Sequence, residues 1–232
     1  MDYKKEYDRW LKKASNADIR AELEKMDDAA IEDAFYRDLA FGTGGLRGTI
    51  GAGTNRMNVY VVAKASQGLS SYLLDNYTSP SVVIGYDSRI KSDVFARTAA
   101  GVFAANGIHV HIWPRLLPVP TVSYAVRYLG ASAGVMITAS HNPSKYNGYK
   151  VYGSDGCQIT TEAAKAILAE INAVDIFEGV KKMPWESAKI QGILEPIKDE
   201  VLDSFIAEVK GQSVLFGDDV DKNVSIVYSP LN

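Results

Sequence analysis

Apolar residues change their spacing several times along the chain, and each change marks an element. Ile19, Leu23 and Met26, then Ile31, Phe35 and Leu39, recur at helical intervals with charged residues on the other faces. They predict amphipathic packing helices through the first 40 residues, with Ser15 and Asp18 as a capping box ahead of Ile19. The register changes at Phe41, where Gly42, Gly44, Gly45, Gly48, Gly51 and Gly53 crowd one stretch. Asn58 then caps a helix reaching about Asn76, with Val59, Val62, Leu69 and Leu73 on one side. Ser81 to Asp87 is a short apolar strand, and Ser92 to Asn106 a helix closed by Gly107. Ile108 to Trp113 alternates as a strand does. Pro118 to Leu129 is a helix stopped by Gly130, and Ala133 to Thr138 is a buried strand. Residues 149–159 read as two short strands around Gly153 and Gly156. Thr160 caps a helix to Ala173, and Ile197, Val201, Leu202, Phe205, Ile206 and Val209 mark a last amphipathic helix.

Strands alternating with helices at these spacings predict an α/β fold. The expectation is a three-layer α/β/α sandwich with a mostly parallel, mixed sheet, preceded by N-terminal helices. Residues 1–40 form the helical extension and 41–212 the main domain. Residues 213–232 are expected to open a second domain whose remainder lies outside the chain. There Gly217, Asp218, Asp219 and Asp221 make a polar turn, and Val224 to Tyr228 starts a new strand.

Composition narrows the function classes. Of 232 residues, 47% are hydrophobic and 23% charged, ordinary values for a soluble globular protein. Lys and Arg number 25 against 28 Asp and Glu, a net charge of −3, which lacks the electrostatic footprint of a nucleic-acid binder. Cys157 is the single cysteine, so an intrachain disulfide and a Cys-based zinc site are both excluded. No apolar run approaches the roughly 18 residues that a membrane span needs. Met1 to Lys13 is charged throughout, without the apolar core of a signal peptide, and a cytoplasmic location is the expectation.

Four stretches carry candidate chemistry. Phe41 to Gly48 is not a dinucleotide fingerprint, since Arg47 stands at the third glycine, and no Gly-Lys-Ser/Thr makes it a P-loop. Its glycines let backbone N–H groups approach an anion, and Arg47 can clamp phosphate or carboxylate. A tight turn with a surface arginine is the plainer alternative. Thr138 to Pro143 follows a buried strand, where ligand sites of open α/β sheets lie. Ser140, with His141 adjacent, is a nucleophile candidate, although the glycines of a nucleophile elbow are missing. An ordinary Ser/Asn/Pro turn explains the same residues. Asn147-Gly148 signals a tight turn that would return Lys150 toward Ser140 as a counter-charge or proton-transfer group. At the end of the Ser81 strand, Asp87 reads as structural, capping the next helix, and Arg89 as a weaker site candidate. Two further patterns are discounted. His109 and His111 share a strand face, but the sequence places no carboxylate beside them. Gly217 to Asp221 reads as a solvated turn.

Together these stretches resemble the α-D-phosphohexomutase superfamily, which includes phosphoglucomutase and phosphomannomutase. Thr138 to Pro143 matches its phosphoserine loop, Tyr146 to Lys150 its downstream run, Phe41 to Asn58 the start of its first domain, and Gly85 to Arg89 is also family-like. The helical extension is most similar to the branch of bacterial phosphoglucomutases and their phosphopentomutase and glucose-1,6-bisphosphate synthase relatives. The resemblance implies that Ser140 carries a phosphoryl group and exchanges it with a phosphorylated hexose through a bisphosphate. It implies Lys150 as general base, His141 in acid–base work or phosphate orientation, and Arg47 near the transferring group. Arg47, Arg89, Ser140, His141 and Lys150 would contact substrate. Mg²⁺ would bind through the phosphate on Ser140, with Asp ligands from a later domain, and glucose 1,6-bisphosphate would act as activator. The family's metal, sugar and distal phosphate loops lie in domains beyond this chain, so the chain alone is expected to be inactive. Its expected partners are the hexose phosphate and those remaining domains, not nucleic acid or membrane. Another sugar specificity (mannose, pentose or bisphosphate synthesis) stays open. So, more remotely, do a serine hydrolase and a non-catalytic binding module.

Overall fold

A computed structural model of the chain describes residues 2–214 and 223–228. The chain begins with α1 (Tyr3–Lys13), α2 (Ala17–Leu23) and α3 (Asp28–Phe35). A hairpin of β1 (Phe41–Gly42) and β2 (Gly45–Thr49) follows, then α4 (Val59–Asn76), β3 (Ser81–Tyr86), α5 (Ser92–Ala105) and β4 (His109–Ile112). Next come α6 (Pro120–Leu129), β5 (Ala133–Ile137), β6 (Tyr146–Gly153), α7 (Thr161–Ala173), α8 (Trp185–Ile190) and β7 (Leu194–Pro196). Asn58 and Thr160 cap α4 and α7 as their sequence positions predict, and Gly130 ends α6 in the left-handed conformation. Two compact units divide between Ile197 and Lys198. The second contains α9 (Asp199–Gly211), whose acidic first turn and terminal Lys210 suit the helix dipole. Among the described residues no helix is long and apolar enough to cross a membrane.

The first unit is built on a seven-stranded mixed sheet in the order β1-β2-β6-β5-β3-β4-β7. Strands β5, β3, β4 and β7 pair in parallel, each reached through a helix. Strands β1, β2 and β6 join antiparallel. The reason is connection length: the segment from β5 to β6 is too short for a crossover helix, so the chain can only turn back. Side chains alternate between the two faces. Val82, Ile84, Val135 and Ile137 point into the core with Phe95 and Phe103 of α5. Gly85 and Gly134 lie on the other face, where α6 packs so closely that a Cβ on either would meet Val122. Helices α4, α5 and α7 therefore cover one face and α6 the other.

The N-terminal helices belong to the same core. Trp10 is fully buried, with edge-on ring contacts to Phe35, Tyr60 and Phe177. The Tyr60 hydroxyl accepts from Ser15 N at 2.7 Å and Asn16 N at 2.9 Å. The Ser15 hydroxyl also faces the Tyr60 hydroxyl, at 3.4 Å, and does not cap α2. The α2 cap is Asn16, which accepts from Ile19 N at 3.1 Å, one position beyond the expected Ser15–Asp18 box. Arg9 on α1 also pairs with Asp175, just past α7.

Four local expectations are corrected. Asn147-Gly148 is not a turn but the interior of β6, paired with Gly48 and Arg47 of β2. Glycine is needed there because strands and loop converge: a Cβ would lie 2.6 Å from Thr138 O and 2.8 Å from Leu46 O. The two short strands read into 149–159 are one strand to Gly153 plus a single bridge from Tyr152 to Gln158. Helix α8 and strand β7 went unread because each is too short to show a period. Finally, residues 223–228 carry no regular structure, so the strand expected over Val224 to Tyr228 does not form. An extended segment needs partners for its backbone groups. The Gly217 to Asp221 turn lies outside the described residues.

Two outcomes test this architecture. Burial opposes ionisation of Asp175, but hydrogen bonds from Arg9 and from the backbone of Glu178 and Phe177 outweigh it, holding its pKa down at about 2. A carboxyl depressed in the folded state stabilises above its unfolded pKa, and that stability is lost as pH falls through the folded value. Asp175→Asn is expected to cost less than about 1 kcal/mol at neutral pH, the pair being partly solvated. The difference from the parent, read by urea melts, should vanish between about pH 4 and about pH 2. Gly148→Ala should destabilise by about 2–3 kcal/mol, since the groups its methyl would strike are backbone carbonyls. A melt unchanged from the parent would contradict the close approach of the three segments.

Candidate functional site

The carboxyl ends of β3 and β5 lie side by side in the parallel half of the sheet. Both strands are followed by polar turns, and these interlock. Asp87, just past β3, accepts from the Thr138 hydroxyl at 2.5 Å, the Ser92 hydroxyl at 3.0 Å and the Arg89 amide at 3.0 Å. Thr138, just past β5, is 2% exposed and accepts in turn from Ser140 N at 2.9 Å. Asp87 is structural, as its position implied, but it does not cap α5. The residue at that cap is Lys91, in the left-handed region with φ 62° and no side-chain cap bond.

Ser140 is exposed and stands in the left-handed region itself, with φ 55°. That conformation costs a non-glycine residue about 1–2 kcal/mol and persists only where its surroundings enforce it. The enforcement comes from Arg89. Its guanidinium donates to the carbonyls of Ser140, Asn142, Pro143 and Tyr146, and pairs with Asp87 at 3.7 Å. Arg89, expected as a substrate contact, thus has its donors committed to the loop backbone and acts as a brace. Asn147, fully buried, completes the frame by donating to Ile90 O and the Ser92 hydroxyl at 3.0 Å each. Nothing in the spacing of Asn147 distinguished this role from a turn.

Arg47 and Lys150 come to the same place from neighbouring strands. Arg47 on β2 is exposed and donates to Asn142 Oδ1 at 3.1 Å, tying the hairpin to the loop. Lys150 on β6 lies opposite Met136 of β5. Both line a pocket of about 280 Å³ with Gly44, Gly45, Thr138 and Ala139. Gln158 lines it too and was missed, since its sequence neighbourhood carries no motif. Among the described residues neither Arg47 nor Lys150 has a carboxylate partner. The pocket therefore presents two basic side chains against the start of the loop that carries Ser140, an arrangement suited to an anion. The larger cavity near α1, lined by Lys5, Arg9 and Lys12, lies among surface charges away from these strand ends.

His141 Nδ1 is 3.4 Å from the Ser140 hydroxyl oxygen, outside the roughly 2.6–3.2 Å of a nucleophile–base pair. The Asp87 carboxylate that could orient a histidine is committed to Thr138, Ser92 and Arg89 instead. This geometry weighs against a serine hydrolase. At the far edge of the sheet one discounted pattern changes. A carboxylate does stand beside His109 and His111: Glu195 of β7, brought there by strand pairing. Burial, then the neighbouring His109, moves the His111 pKa down, and the His109 hydrogen bond lowers that of Glu195.

Comparison with known proteins identifies the family. Residues 38–176 match the description "Phosphoglucomutase/phosphomannomutase, alpha/beta/alpha domain I". The chain is 34% identical over 229 residues to a phosphoglucomutase of Staphylococcus haemolyticus, covering 97% of this chain and 40% of that protein. It is 44% identical over 169 residues to a Schizosaccharomyces pombe protein named "Probable phosphoribomutase", covering 70% of this chain and 29% of that one. A solved structure from Thermus thermophilus, assigned as a phosphomannomutase, superposes with a TM-score of 0.61 at 29% identity, over 75% of this chain and 36% of that one. The chain thus spans well under half the length of the relatives it matches. It belongs to the phosphoglucomutase/phosphomannomutase family, with residues 38–176 as the α/β/α domain I.

Proposed function

We propose that this chain is the phosphoserine-bearing part of a sugar phosphomutase that interconverts glucose 1-phosphate and glucose 6-phosphate. The observation that carries the reading is the exposed Ser140, held in a braced left-handed loop that borders the pocket lined by Arg47 and Lys150. A phosphoryl group on Ser140 would find its charge compensated without any rearrangement of the loop. In the forward half-reaction the P–Oγ bond of phosphorylated Ser140 breaks as the sugar's 6-hydroxyl oxygen bonds to phosphorus. The hydroxyl proton passes to Lys150 as the free amine, leaving Arg47 as the standing cation beside the transferring group. Ser140 Oγ leaves with the bonding electron pair, takes a proton from the imidazolium of His141 and ends as the hydroxyl. The bisphosphate reorients, and its 1-phosphoryl group returns to Ser140 by the reverse sequence. Glucose 1,6-bisphosphate loads an empty Ser140 by that second half alone. The location proposed for this chemistry is the cytoplasm.

Among the described residues the donor set for magnesium is incomplete. Mg²⁺ takes about six oxygens in a near-ideal octahedron. Both oxygens of Asp87, the carboxylate beneath the loop, already accept hydrogen bonds. Ser140 supplies one oxygen, or those of its phosphate. The residues described here do not by themselves fit the ion, and no step above runs through it. By the same reasoning the remaining ligands and the sugar contacts belong to the domains that its relatives' greater length implies, and the chain alone should not turn over. A phosphopentose substrate is the second reading, favoured by the 44% identity to the Schizosaccharomyces pombe protein named for phosphoribomutase.

Three experiments test the reading. After incubation with glucose 1,6-bisphosphate, phosphopeptide mapping should find the label on Ser140 alone. In the enzyme assembled with its remaining domains, Ser140→Ala should abolish turnover while Ser144→Ala is nearly silent. Label on Ser144 or His141, or a Ser140→Ala enzyme of near-normal rate, would overturn the assignment. Arg89→Lys separates bracing from binding, because an ammonium cannot serve the same carbonyls as the planar fork. It should lower kcat by about 10²-fold with little change in KM, as misplacement of a reacting group does. A change confined to KM would instead make Arg89 a substrate ligand.

A further inference from the structure

At the edge of the sheet away from the Ser140 loop, three side chains of a different chemistry converge. His109 and His111 lie two apart on β4, which puts both imidazoles on one face of the strand. The intervening Val110 and the following Ile112 are buried in the core on the opposite face. Strand β7 pairs in parallel with β4 and sets Glu195 directly opposite His111. Its Oε1 is 2.9 Å from His111 Nδ1 and 3.2 Å from His109 Nε2. The two rings stand 4.6 Å apart at 66°, so they do not stack; their nitrogens converge on the carboxylate. One donor atom from each residue falls within 4.8 Å of the other two.

We propose that His109, His111 and Glu195 form a transition-metal site, with Zn²⁺ as the ion that its donors suit. Zinc bonds to imidazole nitrogen and carboxylate oxygen are about 2.0–2.1 Å long, which puts the ligands of a tetrahedron about 3.3 Å apart. The two carboxylate–imidazole separations of 2.9 and 3.2 Å lie close to that value, and the two imidazole nitrogens, within 4.8 Å of each other, reach it by side-chain rotation. Two imidazoles and one carboxylate are borderline donors, matched to Zn²⁺ rather than to the hard, oxygen-seeking Mg²⁺ or Ca²⁺. The face is open enough to admit the ion. Helix α6 packs on β3 and β5, and the side chains of His109, His111 and Glu195 remain 38%, 15% and 54% exposed. Three protein ligands leave a fourth position toward solvent for water.

The ion would act on the sheet rather than on the reaction. β4 lies two strands and β7 three strands from β5, in the order β5-β3-β4-β7. The short edge strand β7 is held to β4 by three register pairs. A metal bridging Glu195 to both histidines would clamp that edge. Because the ion binds the folded arrangement and not the open chain, it would raise the melting temperature.

The test is calorimetric titration of the chelator-treated 232-residue chain with zinc sulfate, in a Cys157→Ser background that removes the exposed thiol. One equivalent is expected to bind, with a rise in melting temperature. His109→Ala and His111→Ala should each weaken binding by roughly tenfold or more, since loss of an outer-shell partner alone costs about that much. The double variant should bind none and gain no thermal stability from zinc. Glu195→Gln keeps the shape and a hydrogen-bond acceptor, so it should fold as the parent does while still losing affinity. Circular dichroism of the zinc-free variants checks folding independently. With Co²⁺ as probe, visible absorption bands of a four-coordinate ion should appear in the parent and be absent from the double variant. No binding by the parent overturns the proposal. So does binding of equal strength by the folded double variant, which would place the ion elsewhere, for example at His141.

Discussion

The carboxylate of Asp87 sits where β3, β5 and the start of α5 meet, and the site is assembled around it. One oxygen takes the hydroxyl of Thr138; the other takes the Ser92 hydroxyl and the Arg89 amide. The same carboxylate neutralises the Arg89 guanidinium, which is only 13% exposed. Without that partner the arginine would be a poorly solvated charge, and such a charge is costly. With it, the guanidinium can face the loop carbonyls. Their combined hold keeps Ser140 in a conformation that an isolated serine would leave. The nucleophile candidate is therefore positioned from beneath, by groups that substrate need never touch.

The mixed sheet explains how the remaining charge arrives. An all-parallel sheet would have sent the chain from β5 into another crossover helix. Here β6 returns beside β5 at once and carries Lys150 back along the strand whose end holds Ser140. Strand β2 then pairs with β6 and brings in Arg47 opposite Gly148. Two basic side chains reach one pocket because of strand register, which sets their directions although neither has a carboxylate partner among the described residues. The missing side chain at Gly148 lets Thr138 and Leu46 press against β6 from both sides. Close approach at that point brings the loop and the hairpin together.

The helical N-terminus serves the same frame at a distance. Trp10 fills the space between Phe35, Tyr60 and Phe177, and Tyr60 belongs to the first turns of α4, which also packs on α5 and α7. Lys91, at the strained start of α5, pairs with Asp18 of α2. The segment after β3 is thereby fastened on both sides: to the Ser140 loop through Asp87 and Arg89, and to the N-terminal helices through Lys91.

The sequence by itself determined the elements and the kinds of residue at the strand ends. Caps such as Asn58 and Thr160 act on amides two or three residues away, and helical or strand spacing acts over a few residues, so both can be read locally. The family motifs around Ser140 and Arg47 were legible for the same reason. What tertiary structure decided depends on contacts far apart in the chain. Arg89 is a brace because Tyr146, 57 residues later, offers its carbonyl. Asn147-Gly148 is strand rather than turn because β2 and β5 flank it, and two neighbouring ladders outweigh a local preference. Glu195 meets His109 and His111 through a three-residue strand too short to announce itself. Local pattern specifies which backbone shapes form; register and close approach, set by the whole sheet, specify which side chains share a site.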